Sequence, residues 1–388
     1  TREDNANIEE KLLTAYLSRR GYTDKEIRSS IVKLKQSANS LGGGLYNANK
    51  EVYTFLRYGV NIQAEVTEKK KMVHLIDWAN PMENDFQIAE EVTIQGASDR
   101  RPDLVVYVNG IALAVIELKR STVSAHEGIR QNIRNQQDGY IPRFFTTIQL
   151  LFAGNDTEGL HYGVIKTPEK FWLRWKEPCG EPCQPSHFTA KEYPNELDRS
   201  VLQFFEPVRL LEYIHDFIIF DGGIKKTARP NQYFAVKAAQ PRVRKKQNGI
   251  IWHSQGSGKS LTMVWLAQWI RENVSDARVV IITDRDELDK QIESGFKDVG
   301  EQIQRAKSGG KLIEMLNAAE PWLICTLIHK FGNKNDSDAI SVGNKKASKS
   351  LDLYLEELAK SLPADFCAKG NIYVFIDECH RTQGGMLH

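Results

Sequence analysis

The stretch Pro102–Lys119, PDLVVYVNGIALAVIELK, decides the architecture of the first part of the chain. Its apolar runs 103–108 and 111–118 predict two strands, and the Asn109-Gly110 dipeptide between them is the strongest short signal for a β-hairpin turn. Around this hairpin the sequence predicts amphipathic helices over 8–22 and 125–138, and further short strands at 72–78, 87–94, 146–153 and 162–165. A helix, then antiparallel strands, then another helix and strand is typical of the α+β class.

Three polar groups lie at the open end of the predicted hairpin, namely Asp103, Glu117 and Lys119. Two carboxylates can bind a hard divalent cation such as Mg²⁺, and the carbonyl of Leu118 offers a third oxygen ligand. Lys119 follows Glu117 by two residues and so lies on the same strand face, where it can position hydroxide and offset phosphorane charge. The pattern favours a phosphodiester-cleaving metal site, and a charged strand end is the alternative interpretation.

The register of the hairpin provides a check on this site. A strict two-residue loop pairs Val108 with Ile111 and places Asp103 opposite Ile116, facing away from Glu117. Shared metal binding requires Asp103 to lie opposite Glu117, so we predict either an odd-length loop or a β-bulge. Clean two-residue pairing without a bulge would count against the site.

The helix predicted over 125–138 adds two candidate catalytic residues. Ile129, Ile133, Gln136 and Tyr140 recur with helical spacing on one stripe. Gln136 and Tyr140 are the polar members of this otherwise apolar face, so they are candidates for the site. An amphipathic core helix whose polar tips reach partners is an equally good interpretation.

The sequence pattern changes at Gly249, after which short apolar runs alternate with segments that have helical periodicity. Runs at 250–253, 278–283, 322–326 and 373–376 predict a parallel α/β sheet with helices on both faces. Between the first run and its helix stands HSQGSGKS, residues 253–260, which matches a P-loop except that His253 replaces the first glycine.

The P-loop pattern predicts a nucleotide site. Backbone amides of the turn formed by Gly256, Ser257 and Gly258 can cradle phosphate oxygens at a helix N-terminus. Lys259 would reach the β- and γ-phosphates of ATP, and Ser260 would bind Mg²⁺. A glycine-rich turn before a helix is the alternative.

A second acidic motif, Asp377-Glu378, follows the predicted strand 373–376. Carboxylates at the carboxyl end of a parallel strand lie near the ligand site of such sheets. Asp377 would hold the Mg²⁺ water shell, and Glu378 would orient and deprotonate the attacking water.

Composition narrows the class of protein. The chain has 388 residues, with 52 Lys and Arg against 50 Asp and Glu, and a net charge of +2. This balance excludes a histone-like polycation and an acidic solvating chain, but it permits DNA binding through a local groove. Five cysteines, a charged first segment and the absence of an apolar stretch of about 18 residues favour a cytoplasmic protein with no membrane association.

The domain organisation follows from a change in composition. The Pro- and Gly-containing segment 179–198 predicts a linker. We therefore predict a first domain over 1–178 and a second over 199–388.

The residues Pro102-Asp103, Glu117-Leu118-Lys119 and Gln136-x-x-x-Tyr140 together resemble the PD-(D/E)xK nuclease pattern with its Gln-x-x-x-Tyr extension. The resemblance implies that Gln136 and Tyr140 lie near the active-site metal and DNA. In that family the first helix often carries a glutamate near the metal, and here Glu9 and Glu10 are both candidates.

The P-loop and Asp377-Glu378-Cys379-His380 resemble the first RecA-like lobe of superfamily 2 helicases and translocases. The resemblance implies that Gln232 reads the adenine edge with Arg229 nearby. It also implies that Arg285 and Lys330 face the nucleic-acid backbone, although a solvated surface position is equally compatible with either residue.

A nuclease followed by such a motor resembles the restriction (R) subunit of type I restriction-modification enzymes. The resemblance implies ATP-driven translocation of double-stranded DNA and Mg²⁺-dependent cleavage, in a complex with methyltransferase (M) and specificity (S) subunits. A stand-alone helicase–nuclease of DNA repair or phage defence is one alternative, and a non-catalytic DNA-binding scaffold is another. The 388 residues do not include that family's second RecA-like lobe or C-terminal helical region, so we expect this stretch to bind ATP weakly and not to translocate.

Overall fold

The computed structural model describes residues 6–63, 70–178, 195–283, 296, 302–306, 308–327, 362 and 366–377. The chain divides into two compact units, Thr1–Tyr233 and Phe234–His388. No helix in the described ranges is long and apolar enough to cross a membrane.

The first unit is built on a six-stranded mixed sheet with strand order β3-β4-β5-β6-β7-β8. Only β5 and β6 run parallel, joined by a helical crossover, whereas the other neighbours are antiparallel. The elements of this unit are α1 (Glu10–Arg19), α2 (Asp24–Asn39), α3 (Gly44–Tyr58), β1 (Val60–Ile62), β2 (Lys71–Val73), β3 (Phe86–Glu90), β4 (Leu104–Val108), β5 (Ile111–Leu118), α4 (Ala125–Asn135), β6 (Leu150–Asn155), β7 (Gly159–Gly163), β8 (Leu173–Arg174), α5 (Glu196–Phe204), α6 (Pro207–Asp216), β9 (Ile218–Asp221) and β10 (Ile224–Thr227).

The central strand β5 explains where the core of this unit lies. Every residue from Ile111 to Glu117 is buried, so neither face of the sheet is open to solvent at this strand. Val115 on β5 packs with Val105 of β4 and with Ile129 of the crossover helix α4. A fully buried strand has no solvent face, so any charged residue on it must serve a purpose other than solubility.

The segment Asn195–Tyr233 belongs to the first unit, although its composition placed it beyond a predicted linker. Its aromatic side chains pack on the sheet: Tyr213 donates to or accepts from Tyr162 at 3.0 Å between their hydroxyl oxygens. Trp175 and Phe204 pack against Tyr213 with ring centroids 6.0 and 4.7 Å away. Buried contacts, which composition does not reveal, thus extend this unit past residue 198.

The second unit contains a parallel four-stranded sheet with strand order β12-β13-β11-β14. The described elements that make it up are α8 (Lys259–Asn273), β11 (Ala277–Thr283), β12 (Gln304–Arg305), α9 (Gly309–Asn317), β13 (Leu323–Leu327) and β14 (Asn371–Ile376), and α7 (Pro230–Arg244) leads into it. The predicted combination of an α+β unit with a parallel α/β unit is confirmed.

The strand predicted over 250–253 is absent from the sheet, so that prediction was wrong. Residues 250–253 lie outside any strand, and Ile250 and Trp252 are 80% and 86% exposed. An apolar run becomes a strand only where a neighbour accepts its backbone hydrogen bonds, and periodicity alone cannot identify that neighbour.

Arg278 of β11 connects several elements of the second unit from a nearly buried position. Its guanidinium donates to five backbone carbonyls at 2.7–3.2 Å, those of Met315, Leu316, Ala318, Pro321 and Lys369. Two of these carbonyls lie in the last turn of α9, where a cation also complements the helix dipole. Arg278 thus holds the end of α9 against the sheet.

We expect Arg278→Met to destabilise the second unit by on the order of 3–5 kcal/mol, because it leaves buried carbonyls without their charged donor. Differential scanning calorimetry would show the transition of this unit moving to lower temperature. Lys311→Met, at an exposed position of α9, removes the same kind of charge and should change little. Equal transitions for both variants would contradict the role of Arg278.

Candidate functional site

The hairpin β4–β5 has the register that the metal site requires. Its turn is a two-residue one, since Val108 pairs with Ile111, and both Asn109 and Gly110 have positive φ (52° and 81°), as a type I′ turn demands. Pairing shifts by one residue between Val106 and Tyr107, so Leu104 lies opposite Ile116. The predicted bulge is confirmed, and continuing this register places Asp103 opposite Glu117.

A buried amide network fixes the turn at the other end of the hairpin. Asn109 Nδ2 donates to Asn84 Oδ1 at 2.8 Å and to the Leu75 carbonyl at 3.0 Å. Asn109 Oδ1 accepts from the Asp85 amide at 2.8 Å, and Asn84 Oδ1 also accepts from the Asp77 amide. These hydrogen bonds fix the position of the turn, and a fixed turn stabilises the bulged register of β4 and β5.

The structure brings Asp103, Glu117 and Lys119 together at the open end of the hairpin. Lys119 Nζ lies 3.7 Å from Asp103 Oδ2 and 3.9 Å from Glu117 Oε2. Asp103 Oδ2 also accepts a hydrogen bond from the Leu118 amide at 2.7 Å, which fixes its side chain across the strand pair. The Leu118 carbonyl, predicted as a ligand, accepts from Lys119 Nζ at 3.1 Å.

Of these three residues, Glu117 has the most unusual electrostatic environment. Its side chain is completely buried, and neither carboxylate oxygen has a hydrogen-bond partner among the described residues. Burial and the nearby negative charge of Asp103 raise the pKa of Glu117, whereas the positive charge of Lys119 lowers it. The result is a pKa of about 8. A buried carboxylate without donors is costly unless something else binds it.

A divalent cation fits this arrangement on the chemistry of its donors. Asp103 and Glu117 provide carboxylate oxygens of the kind that Mg²⁺ prefers, and the Glu117 oxygens have the Lys119 ammonium nearby at 3.9 Å but no hydrogen-bond donor among the described residues. The cation would supply the charge that the site lacks and would return the Glu117 pKa to lower values.

One residue of the site was missed from the sequence. Gly128 of α4 lies against Glu117: a Cβ at position 128 would be 3.1 Å from the Glu117 carbonyl and 3.3 Å from its Cβ. The glycine therefore allows α4 to approach β5 closely at Glu117, where a larger side chain would collide with the strand. A glycine inside an otherwise helical pattern was the available signal.

The stripe predicted to carry Gln136 and Tyr140 on one helix is wrong. Helix α4 ends at Asn135, Gln136 forms its C-cap, and Tyr140 lies beyond the helix. Gln136 Nε2 donates to the Asn132 carbonyl and its Oε1 accepts from the Lys166 amide at 2.7 Å. These backbone bonds stop the helix, and among the residues that the structure describes no hydrogen bond or ion pair joins Gln136 or Tyr140 to Asp103 or Glu117.

The N-terminal glutamates also differ from expectation, since neither belongs at the metal site. The Glu9 amide donates to the Gly110 carbonyl at 2.7 Å, which places Glu9 at the turn end of the hairpin. Glu117 lies about 20 Å away along β5 at roughly 3.3 Å per residue. Glu10 is exposed and pairs with Lys35. The helix-borne glutamate of the nuclease pattern therefore has no counterpart in α1.

In the second unit, the P-loop residues form a turn into α8. Gly258 is the N-cap of this helix, with φ 89° and ψ 38°, a left-handed conformation that favours glycine. Ser257 donates from its amide and hydroxyl to the Ser254 carbonyl, and Lys259 and Ser260 begin the helix. A glycine-containing turn that leads into a helix N-terminus is the kind of position at which proteins bind phosphate.

Asp377 lies directly after β14 in the same unit and is nearly buried. Its amide donates to the Ile282 carbonyl of β11 at 3.0 Å, which extends the parallel pairing to this residue. The remaining predicted motor residues, Glu378, Arg285 and Lys330, lie outside the described residues.

Gln232 and Arg229 lie at the start of α7. The side-chain oxygen of Gln232, a buried residue, accepts from the Arg229 amide at 2.8 Å, and the Gln232 amide donates to the Arg229 carbonyl. The two residues therefore form one local turn at the N-terminus of α7.

Comparison with known proteins agrees with this geometry. Residues 1–170 match the family described as type I restriction enzyme R protein N terminus, and residues 231–388 match the SWI2/SNF2 ATPase family. The endonuclease subunit provisionally assigned to the type I restriction enzyme MjaIXP of Methanocaldococcus jannaschii is 27% identical over 92% of this chain and 34% of its own length.

Two bacterial relatives give the same picture. The type I restriction enzyme SsaAORF53P endonuclease subunit of Staphylococcus saprophyticus is 26% identical over 83% of this chain and 32% of its own length. The type I restriction enzyme HindI endonuclease subunit of Haemophilus influenzae is 26% identical over 91% and 33%. The chain thus spans about a third of the length of the curated relatives it matches. The chain therefore matches an R-protein N-terminal domain followed by a SWI2/SNF2 ATPase domain, and over most of its length it is similar to endonuclease subunits of type I restriction enzymes.

Proposed function

We propose that this chain provides the nuclease and the first part of the ATP-driven motor of a type I restriction enzyme. The observation that carries the proposal is Glu117, a buried carboxylate that has no hydrogen-bond partner in the described ranges, in register with Asp103 and beside Lys119. No structural requirement of the sheet explains such a group, whereas a divalent-metal nuclease needs it.

The chemistry that follows is hydrolysis of a DNA phosphodiester. A bound Mg²⁺ would polarise the phosphate and lower the pKa of a water molecule. Asp103 and Glu117 would hold the cation, and the complete burial of the Glu117 side chain would strengthen its attraction to it. Lys119, within 4 Å of both carboxylates, positions hydroxide and stabilises the negative charge of the phosphorane.

The motor part of the proposal rests on the turn at Gly258 and on Asp377. The turn of Gly256, Ser257 and Gly258 at the N-terminus of α8 would bind the phosphates of ATP, and Lys259 would neutralise their charge. Ser260 and Asp377 would hold the accompanying Mg²⁺, Glu378 would activate water, and Gln232 with Arg229 would recognise adenine. Arg285 and Lys330 contact the DNA backbone.

The substrate is double-stranded DNA, and the partners are methyltransferase and specificity subunits in the cytoplasm. The names of the relatives favour this function over a stand-alone repair or phage-defence helicase–nuclease, since each is an endonuclease subunit of a type I restriction enzyme. In this proposal residues 1–178 carry the nuclease and residues 199–388 the motor, although the segment up to Tyr233 packs within the first compact unit.

The test is plasmid cleavage by the full-length protein in its complex at varied Mg²⁺ and pH. Glu117 must release its proton to bind the cation, and its pKa is about 8, so protons compete with Mg²⁺ below that pH. We expect the Mg²⁺ concentration for half-maximal cleavage to rise about tenfold per pH unit from pH 8 to pH 6. Cleavage in the presence of chelator, or a Mg²⁺ requirement independent of pH, would contradict the proposal.

A further inference from the structure

Among the residues that the structure describes, Arg100 has an aromatic partner and no acidic one. Its guanidinium carbon lies 4.2 Å from the centroid of the Tyr140 ring, close enough for stacking and cation–π attraction. One guanidinium nitrogen donates to the Asp99 carbonyl at 2.9 Å, and in the described part of the chain no ion pair joins Arg100 to a carboxylate. A half-buried arginine arranged in this way keeps N–H groups available for an external anion.

The loop 91–101 that carries Arg100 is firmly held. Ile94 and Arg100 exchange backbone hydrogen bonds at 2.8 and 3.1 Å, and Ile94 is buried in the core of the unit. The Ala97 amide donates to the Tyr140 carbonyl at 3.0 Å. Gly96 lies so close that a Cβ there would be 2.3 Å from the same carbonyl. The position of Tyr140 and the position of the loop are therefore determined together.

The loop also begins and ends at the metal site. The Glu91 amide donates to the Asp103 carbonyl at 2.9 Å, which closes the loop at its base. Arg100 precedes Asp103 by three residues, so their Cα atoms are at most about 10 Å apart. A guanidinium at that distance can reach a phosphate next to one bound at the metal.

We propose that Arg100, stacked on Tyr140, binds the DNA phosphate adjacent to the bond that is cut. Tyr140 is then a positioning residue, which acts through its ring by holding the guanidinium rather than through its hydroxyl. The proposal rests on the proposed nuclease function of Asp103 and Glu117. It gives Tyr140 a role that fits its place outside α4 and its lack of a described contact with the carboxylates.

The neighbouring Arg101 provides a matched control. Its guanidinium pairs with Glu91 at 3.3 Å, and both side chains are largely exposed, at 58% and 67%. A substitution there removes the same charge from the same loop without touching Tyr140.

The experiment measures DNA cleavage by the full-length complex as a function of salt, for wild type, Arg100→Gln, Arg100→Lys, Tyr140→Leu, Tyr140→Phe and Arg101→Gln. Loss of one phosphate contact should lower cleavage about tenfold at physiological salt and reduce the slope of log rate against log salt by about 1. We expect this for Arg100→Gln and Tyr140→Leu, with no further loss when they are combined. Tyr140→Phe should recover the slope that Tyr140→Leu loses, and Arg101→Gln should keep the wild-type slope.

Arg100→Lys separates charge from geometry, since a lysine keeps the charge but lacks the planar group that stacks; we expect it to restore the slope only in part. Thermal unfolding of each variant identifies any that fail to fold. If Tyr140→Leu or Arg100→Gln fails to fold, the salt slopes of the conservative variants Tyr140→Phe and Arg100→Lys are compared with that of Arg101→Gln instead. A slope unchanged in Arg100→Gln, or an equal loss in Tyr140→Phe and Tyr140→Leu, would overturn the inference. If wild type itself did not cleave DNA, the nuclease proposal would fail instead.

Discussion

Glu117→Gln should abolish DNA cleavage while leaving the protein folded. The substitution keeps the size of the side chain but removes the charge that binds the cation, so we expect cleavage to fall at least about a hundredfold. Plasmid cleavage at saturating Mg²⁺ measures the loss, and calorimetric titration with Mg²⁺ should show that binding at this site disappears.

The same variant should be more stable than wild type at high pH when no metal is present. Folding raises the Glu117 pKa from its ordinary 4.5 to about 8, so between these values the folded state binds a proton that the unfolded chain releases. The stability of wild type therefore falls as pH rises through this window, by at most about 5 kcal/mol. Glutamine has no such dependence.

Thermal unfolding in chelator at pH 5 and pH 8 checks this stability difference. The two proteins should unfold at similar temperatures at pH 5, and Glu117→Gln at the higher temperature at pH 8. Asp99→Asn, in the exposed loop before the site, is the control for removing one carboxylate. If Glu117→Gln cleaved DNA normally, or were the less stable protein at pH 8, the metal-binding role of Glu117 would be refuted.

Lys259→Ala should abolish ATP hydrolysis, with at least about a hundredfold loss, because the lysine follows the Gly258 turn and neutralises phosphate charge in the transition state. Steady-state hydrolysis by the full-length complex with DNA present measures the effect. Since the proposed motor drives cleavage, plasmid cutting should be lost as well.

A variant of the nuclease site tests whether the loss expected for Lys259→Ala is specific to ATP hydrolysis. Asp103→Ala should lose cleavage and keep its ATP hydrolysis, because the metal site and the P-loop lie in separate units. Lys311→Ala, an exposed lysine of α9, should keep both activities. If Lys259→Ala still hydrolysed ATP, the P-loop would not be the site of ATP hydrolysis. If Asp103→Ala lost ATP hydrolysis, the nuclease and ATP sites would not be independent.

Local chemistry allowed much of the nuclease site to be predicted from sequence. The Asn109-Gly110 dipeptide predicted the hairpin turn, and both residues have the positive φ angles that the turn needs. The requirement that Asp103 lie opposite Glu117 predicted a β-bulge, which the paired strands contain. The α/β rhythm after residue 249 likewise identified a parallel sheet, because continuous apolar runs between helices need cover on both faces.

What the sequence did not reveal depends on contacts between distant residues. Helical spacing placed Tyr140 on α4, but the side chain of Gln136 binds the Lys166 amide and the helix ends first. Glu9 was a metal candidate by family pattern, but its amide binds Gly110 at the far end of the hairpin. The close fit of Gly128 on Glu117 is a tertiary contact as well, and no local propensity encodes it.

The most direct test of the metal site is a crystal structure of the protein soaked in Mn²⁺, with anomalous scattering used to locate the ion. We predict one peak between the Asp103 and Glu117 carboxylates, within about 2–2.5 Å of an oxygen of each, and no such peak in Glu117→Gln. A wild-type crystal without this peak, at a Mn²⁺ concentration that supports DNA cleavage, would contradict the assignment of these residues as the nuclease metal site.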